Sequence, residues 1–442
     1  MQHFALCEAD EWVDPHLTTP FVITGGASAW PAAQWNEKEF SEKLGGMYRV
    51  RFGSRNFSIG KPLFDASCTR SYMLMEKFFE WSHGGLSTVD NDMILPDIND
   101  CWGYMDYIHL AENPNLTAET RNAFLWSSLL GDDGMTDDVQ TTVWLGSVGA
   151  HSPLHYDAMG WNLHAQLRGR KQWILVPPRC PGMDKESYQR KLRPTRFPYE
   201  DTTIYSKLDA LGDPSCLSSI ADVRVFDLRP GDILFIPPLW WHATLCCREV
   251  DGSSPISISA NVWLNERNDV LHSITERTVD ALICLFQQLL NISDRIAGEA
   301  SCEGDSNCTF ATRMETMKME LMQMTEDEQL ESALDDEEYK HSWNGRLRTI
   351  RKRGRSRYDS FLSRFSHFVV PPKTTKEELD KLYTNGSRDH SGLIFNKTPI
   401  AQHQFSFSES IAYETLSPWN VERLVKNCIK YRERASIDIS SS

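Results

Sequence analysis

The chain has 442 residues, 40% of them hydrophobic and 24% charged, and carries a formal net charge of −15. That length suits one large domain with an appendage, or two domains, and a core big enough to need no staples. The acidic balance argues against a nucleic-acid partner, whose footprint is a basic face, and leaves a basic protein substrate open.

In chain order, the N-terminal "MQHFALCEADEWVDPHL" lacks a basic segment followed by an apolar run, and no later stretch approaches the length of a membrane span. Neither secretory nor membrane targeting is expected. "AAQWNEKEFSEKLGG" spaces Trp35, Phe40 and Leu44 on one helical face and stops on a glycine pair. From about Phe21 to Asn261 the chain predicts short strands between Pro/Gly turns. "TTVWLGSV", "NLHAQLRG", "KQWILVPP", "VRVFDL", "DILFIPP" and "ISISANVWL" are all rich in β-branched and aromatic residues. Strands in such succession predict a sandwich or barrel.

Helical periodicity takes over after Trp263. "VLHSITERTVDALICLFQQLLNI" repeats apolar residues every three to four positions. It is too apolar to leave every face in water, so it is expected to pair with a second copy of the chain or to dock a partner. "GEASCEGDSNC" is a loop, and Met314, Met317, Leu321 and Met324 form a stripe suited to core or partner contact. The acidic "TEDEQLESALDDEEYK" and the basic "RLRTIRKRGRSRY" suit solvated faces that pair with each other. The expected division is a strand-rich domain over residues 1–264 and a helical extension over 265–442. Eleven cysteines without a Cys-x-x-Cys pair predict reduced thiols and a cytoplasmic setting, with the nucleus open through the basic run.

"GSVGAHSPLHYDAMGWNLHAQLRGRKQWILVPP" sets His151, His155, Asp157 and Lys171 in one strand-like stretch. A sheet turning polar side chains to water would explain it, and so would a metal site with an anion-binding lysine beside it. Residues two apart on a strand share a face, so His155 and Asp157 suit one ion. A third ligand must come from elsewhere. His242 qualifies, at the end of "RPGDILFIPPLWWHAT", where a Pro-Gly-Asp turn launches an apolar strand. Two histidines and one carboxylate with open positions describe the triad of non-haem Fe(II) oxygenases, although the same donors also hold catalytic zinc. Lys171 would be costly to bury unpaired. A dicarboxylate chelating the iron would need such a cation at its far end, with Ser152 adding a hydroxyl.

"HSPLHYD", "NLHAQLRGRKQWILVPP", "PGDILFIPPLWWH" and "ISISANVW" resemble the JmjC-domain, cupin-type Fe(II)/2-oxoglutarate oxygenases. "TVWLGSVGAHSPLHYD" and "RPTRFPYEDTTIYSKLD" are similar to the branch that associates with a small heat-shock protein. The resemblance covers roughly Pro20 to Leu264. It implies a mainly β fold: a double-stranded β-helix, or jelly roll, with N-terminal helices and the metal at its mouth.

Carried over by motif, His155, Asp157 and His242 would hold Fe(2+), and Lys171 and Ser152 the distal carboxylate of 2-oxoglutarate. Asn162 and Asn261 would lie beside its chelating end. Tyr104 would complete the pocket, with Tyr107 as the alternative. Trp263, Trp240 and Trp241 are expected around the mouth, and His151 and His164 in supporting or core roles. Ser152 stands where relatives often carry threonine. "RCPGMDKESYQRKL" looks like an insertion near the substrate's approach.

The resemblance implies a dioxygenase acting on a protein substrate by side-chain hydroxylation. Demethylation of an N-methyl-lysine keeps the chemistry and changes the substrate, but the chain has no zinc-finger spacing of a chromatin reader. A third possibility is a cupin that binds a small heat-shock protein with little turnover. A fourth, RNA modification, is disfavoured by the acidic charge.

Overall fold

The computed structural model describes residues 19–264 with short breaks, together with 368–384 and 392–396. Its first strands are β1 (Phe21–Ile23), β2 (Met47–Ser54), β3 (Asn56–Ser58), β4 (Thr69–Leu74), β5 (Val89–Asp90), β6 (Met93–Ile94) and β7 (Cys101–His109). Next come β8 (Thr142–Ser147), β9 (His151–Asp157), β10 (Trp161–Arg168), β11 (Arg170–Val176), β12 (Pro194–Glu200) and β13 (Thr203–Ser206). The last are β14 (Arg224–Leu228), β15 (Ile233–Ile236), β16 (Trp241–Cys247), β17 (Ile256–Leu264), β18 (Phe368–Val369) and β19 (Ile394–Asn396). The helices are α1 (Pro31–Gln34), α2 (Glu37–Leu44), α3 (Met75–Ser82), α4 (Ala118–Arg121), α5 (Lys185–Leu192) and α6 (Lys376–Thr384).

Two antiparallel sheets form the body. One runs β18-β1-β15-β10-β17-β8-β7-β2-β4 and the other β12-β13-β9-β16-β11-β14. This is the jelly roll that the resemblance implies, and β17 shows how the sequence builds it. Ile256, Ile258, Ala260 and Val262 enter a core that Trp30, Phe40 and Phe78 also join from the helical side. The alternate residues Ser257, Ser259 and Asn261 are equally buried, because they face the barrel interior. Apolar/polar alternation usually marks a sheet with one wet face. Here the polar row is enclosed, so each member needs a partner. β10 repeats the pattern: Leu163, Ala165 and Leu167 join the same core, while Asn162, His164 and Gln166 are buried polar groups.

The single helix expected over "AAQWNEKEFSEKLGG" is two. Asn36 interrupts it as an N-cap: its side chain accepts from the Glu39 N–H, and the Glu39 carboxylate accepts from the Asn36 N–H. Trp35, Phe40 and Leu44 are nonetheless all buried.

Two segments beyond residue 264 pack onto the barrel. β18 extends the nine-stranded sheet by pairing Val22 with Val369 and Ile23 with Phe368. Thr374 donates its N–H to Val223 O and accepts at Oγ1 from the Val225 N–H. Leu379 of α6 is buried. β19 runs parallel to β3, and Arg55 bridges the carbonyls of Val148 and Gly392. The apolar helical pattern after Trp263, the methionine stripe and the acidic and basic runs lie outside the described residues.

Candidate metal centre

β9 and β16 are neighbours, and His155 sits directly opposite His242. Asp157, two residues along β9, shares their face. The three ligand atoms lie within 4.8 Å of one another, with the imidazole Nε2 atoms 3.9 and 3.8 Å from the carboxylate oxygens. Each imidazole is fixed from behind. His155 Nδ1 lies 2.7 Å from Pro153 O and His242 Nδ1 lies 3.0 Å from Trp240 O. A ring that donates its Nδ1–H to a carbonyl presents the Nε2 lone pair to the centre, the tautomer a metal needs. Asp157 Oδ2 accepts from Trp263 Nε1 at 3.0 Å and from Asn162 Nδ2 at 3.2 Å. Asn162 is held by Asn261 Nδ2, and Asn261 by Trp144 Nε1.

The electrostatics agree with a cation site. Burial, with the neighbouring His242, drives the His155 pKa down to about 3 despite Asp157. Burial would raise the Asp157 pKa, but His242, His155 and the two donors outweigh it and hold the carboxyl below its usual range. His155 is therefore a neutral imidazole and Asp157 a carboxylate, and both converge with His242 on one point. The residues fit a divalent transition metal.

On the same cavity, β11 presents Lys171, 2% exposed. Its Nζ lies 3.0 Å from Ser259 Oγ and 3.3 Å from Tyr104 Oη, and no described carboxylate pairs with it. Burial pulls its pKa down and pushes that of Tyr104 well up. A buried ammonium without a counter-ion costs several kcal/mol. A ligand carboxylate would remove that cost, so the residues also fit an anionic cosubstrate.

The eight residues that the resemblance assigns to metal and cosubstrate all border this one cavity: Tyr104, Ser152, His155, Asp157, Asn162, Lys171, His242 and Asn261. Two irregularities bring this about. Between His242/His155 and Thr244/Ser152 the register slips, so two residues of β9, Pro153 and Leu154, oppose one of β16, Ala243. That bulge turns Ser152 toward the same space as His155, which strict alternation would forbid. β7 slips likewise between Met105 and Ile108, and Tyr107 takes φ 54° there. Tyr104 and Tyr107 therefore both reach the cavity; Tyr104 meets Lys171, and Tyr107 packs on Trp144 with ring centres 4.6 Å apart.

One expectation, shared by two residues, is corrected. Trp240 and Trp241 do not border the cavity. Once His242 points inward, its strand neighbour Trp241 must point the other way, and it packs on Tyr156 at 4.6 Å; Trp240 joins a separate apolar cluster. The alternative of a sheet turning its polar side chains to water fails at His151, Asn162, His164, Gln166 and Lys171, which are buried. The stretch over residues 179–192 is anchored: Tyr188 on α5 is buried and its hydroxyl donates to Pro177 O.

Sequence reasoning missed Arg51, Trp144, Trp173, Tyr205 and Thr244, all of which border the cavity. Arg51 and Arg49 share the buried Asp106 at 3.0 and 3.2 Å. No motif announces Arg51, because its contacts come from a strand far away in sequence. Trp173 and Thr244 were findable, since each stands two residues from a chosen site residue on the same strand.

A jelly roll with a two-histidine, one-carboxylate cluster and a buried lysine in its cavity defines a cupin-type protein with a candidate metal site. Residues 16–270 match the family described as cupin-like domain, and the chain belongs to it. It is 30% identical over 281 residues to the human protein named HSPB1-associated protein 1, covering 62% of this chain and 54% of that one. The zebrafish homolog of that name is 27% identical over 271 residues, 61% of this chain and 57% of its own. The Arabidopsis thaliana protein named lysine-specific demethylase JMJ30 is 24% identical over 261 residues, 55% and 49% of the two chains. The chain spans about half the length of these relatives.

Proposed function

We propose that this protein is an Fe(II)- and 2-oxoglutarate-dependent dioxygenase that hydroxylates a side chain of a protein substrate. The observation that carries this reading is one cavity holding both the His155–Asp157–His242 donor set and a buried lysine with no described counter-ion. When bound, iron and 2-oxoglutarate supply the oxidation by O₂, with release of succinate and CO₂. The chain's own residues position and shield. His155 and His242 offer Nε2, and Asp157, oriented by Trp263 and Asn162, offers the anionic ligand. Lys171, with Tyr104 and Ser152, takes the distal carboxylate and so sets the cosubstrate's direction. Tyr107, Trp144 and Trp263 wall the space where a substrate side chain enters, and they exclude water from it.

Asp157→Ala removes the one anionic ligand. Conversion of 2-oxoglutarate to succinate should be abolished while the thermal unfolding transition survives. A folded variant that matches wild type would end the proposal. The name of the mammalian relatives supports a small heat-shock protein as partner or substrate. A second reading, demethylation of an N-methyl-lysine, is favoured by the aromatic walls, which can cage a methylated ammonium, and by the name of the plant relative. Gain of one oxygen on a cellular protein supports hydroxylation; formaldehyde release from methylated peptides, without such a product, supports demethylation. Silence in both assays alongside stable association with a small heat-shock protein would support a binding role.

A further inference from the structure

Three inward side chains of β10 share the barrel interior, and only the middle one lacks a bonding partner. Asn162 holds Asp157. Gln166 Nε2 donates to Arg168 O, Gly169 O and Ser257 Oγ. Between them His164 is 4% exposed and borders the cavity, yet its Nε2 has no hydrogen-bond partner. The ring stands edge-on to Trp173, with centres 4.8 Å apart, which fixes its plane. Trp173 also borders the cavity, two residues from Lys171 on the same strand, and its Nε1–H is unpartnered as well.

The two metal-centre imidazoles are tied to backbone carbonyls; this one is not. If its role were packing on Trp173, phenylalanine would serve without the cost of an unsatisfied buried nitrogen. Burial, then Lys171 and His242, hold the His164 pKa well below its ordinary value, so the ring is neutral and carries one N–H. A neutral donor beside a buried ammonium is an arrangement for an anion.

We propose that His164 is a cosubstrate-binding residue, donating a hydrogen bond to the carboxylate that Lys171 holds. The dicarboxylate is then gripped from both sheets, by Lys171 from one and His164 from the other. This rests on the oxygenase reading above.

The test is calorimetric titration of Mn(II)-loaded protein with 2-oxoglutarate and, separately, with oxalate, which chelates a metal but has no distal carboxylate. His164→Phe should weaken 2-oxoglutarate binding about tenfold, the scale of one hydrogen bond to a charged group. Oxalate and Mn(II) affinities should not change, and neither should the unfolding transition. His164→Gln, which keeps a hydrogen-bonding amide, should lie closer to wild type than His164→Phe. Unchanged 2-oxoglutarate affinity in His164→Phe would overturn this inference alone, as would equal losses for 2-oxoglutarate and oxalate. A wild-type protein that binds Mn(II) but not 2-oxoglutarate would overturn the oxygenase reading with it.

Discussion

Lys171 is the residue whose surroundings make least sense without a ligand, and it gives a prediction separable from the metal. Lys171→Ala should weaken 2-oxoglutarate by about 1.5–3 kcal/mol, roughly ten- to a hundred-fold, and leave metal affinity in the absence of cosubstrate nearly unchanged. Parallel titrations of both ligands check it; equal losses would mean damage to the fold. His151 makes a different prediction. Buried against Trp102 at 4.8 Å, it has a pKa lowered to about 4, chiefly by burial. Its unfolded value is about 6.5. The depressed folded pKa means that this stability is present above pH ~6.5 and lost as pH falls toward 4, up to ~3 kcal/mol in full. Melting temperature should therefore drop between pH 7 and pH 5, and His151→Phe should show a shallower drop. An identical slope in that variant would assign the acid sensitivity elsewhere. At this scale the sequence was informative where motif and strand spacing coincide, as for His155, Asp157 and His242. It was silent on Arg51, whose partner Asp106 is a neighbour only after folding.

Among the elements, the strands were legible and their irregularities were not. Alternation along β10 and β17 marks the right residues as inward, but periodicity alone does not say whether an inward polar row meets water or a barrel interior. The bulges of β7 and β9 break the period of two, so the cavity places of Ser152 and Tyr104 follow from family motif and not from spacing. Gly169, between β10 and β11, makes the element-scale prediction. It has φ +67°, and a Cβ there would lie 2.3 Å from Ile256 O, a backbone atom that cannot step aside. Gly169→Ala should cost about 2–4 kcal/mol. Gly25→Ala is the control: φ is +70°, but the nearest contact is Ser28 Oγ at 3.5 Å, and the cost should be about 1 kcal/mol. Chemical denaturation of both variants checks the difference, and equal losses would show that the Ile256 contact relaxes.

For the whole molecule, the barrel extends beyond the last strand that the sequence pattern shows. β18 and β19 are too short to stand out by periodicity, and their partners lie hundreds of residues earlier. Truncation after Leu264 bares the outer edge of β1 and removes Thr374 from Val223 and Val225 and one of the carbonyls that Arg55 bonds, Gly392 O. That chain should melt earlier and aggregate sooner than one ending at Asn396. If both unfold alike, the tail segments contribute nothing to the barrel. The proposed pairing of two copies through the helical tail is checked apart from this, by sedimentation of the full chain.

β1 lies between β15 and β18, its residue Val22 facing Leu234 on one side and Val369 on the other. During synthesis this strand emerges before both neighbours and waits for them, the second until residue 369 has left the ribosome, about 350 residues later. Contacts so distant in sequence form slowly, and an unpaired strand is exposed while they form. A nascent chain stalled before residue 368 should therefore hold β1 by one edge only, which is the interval in which a chaperone would have the most to protect.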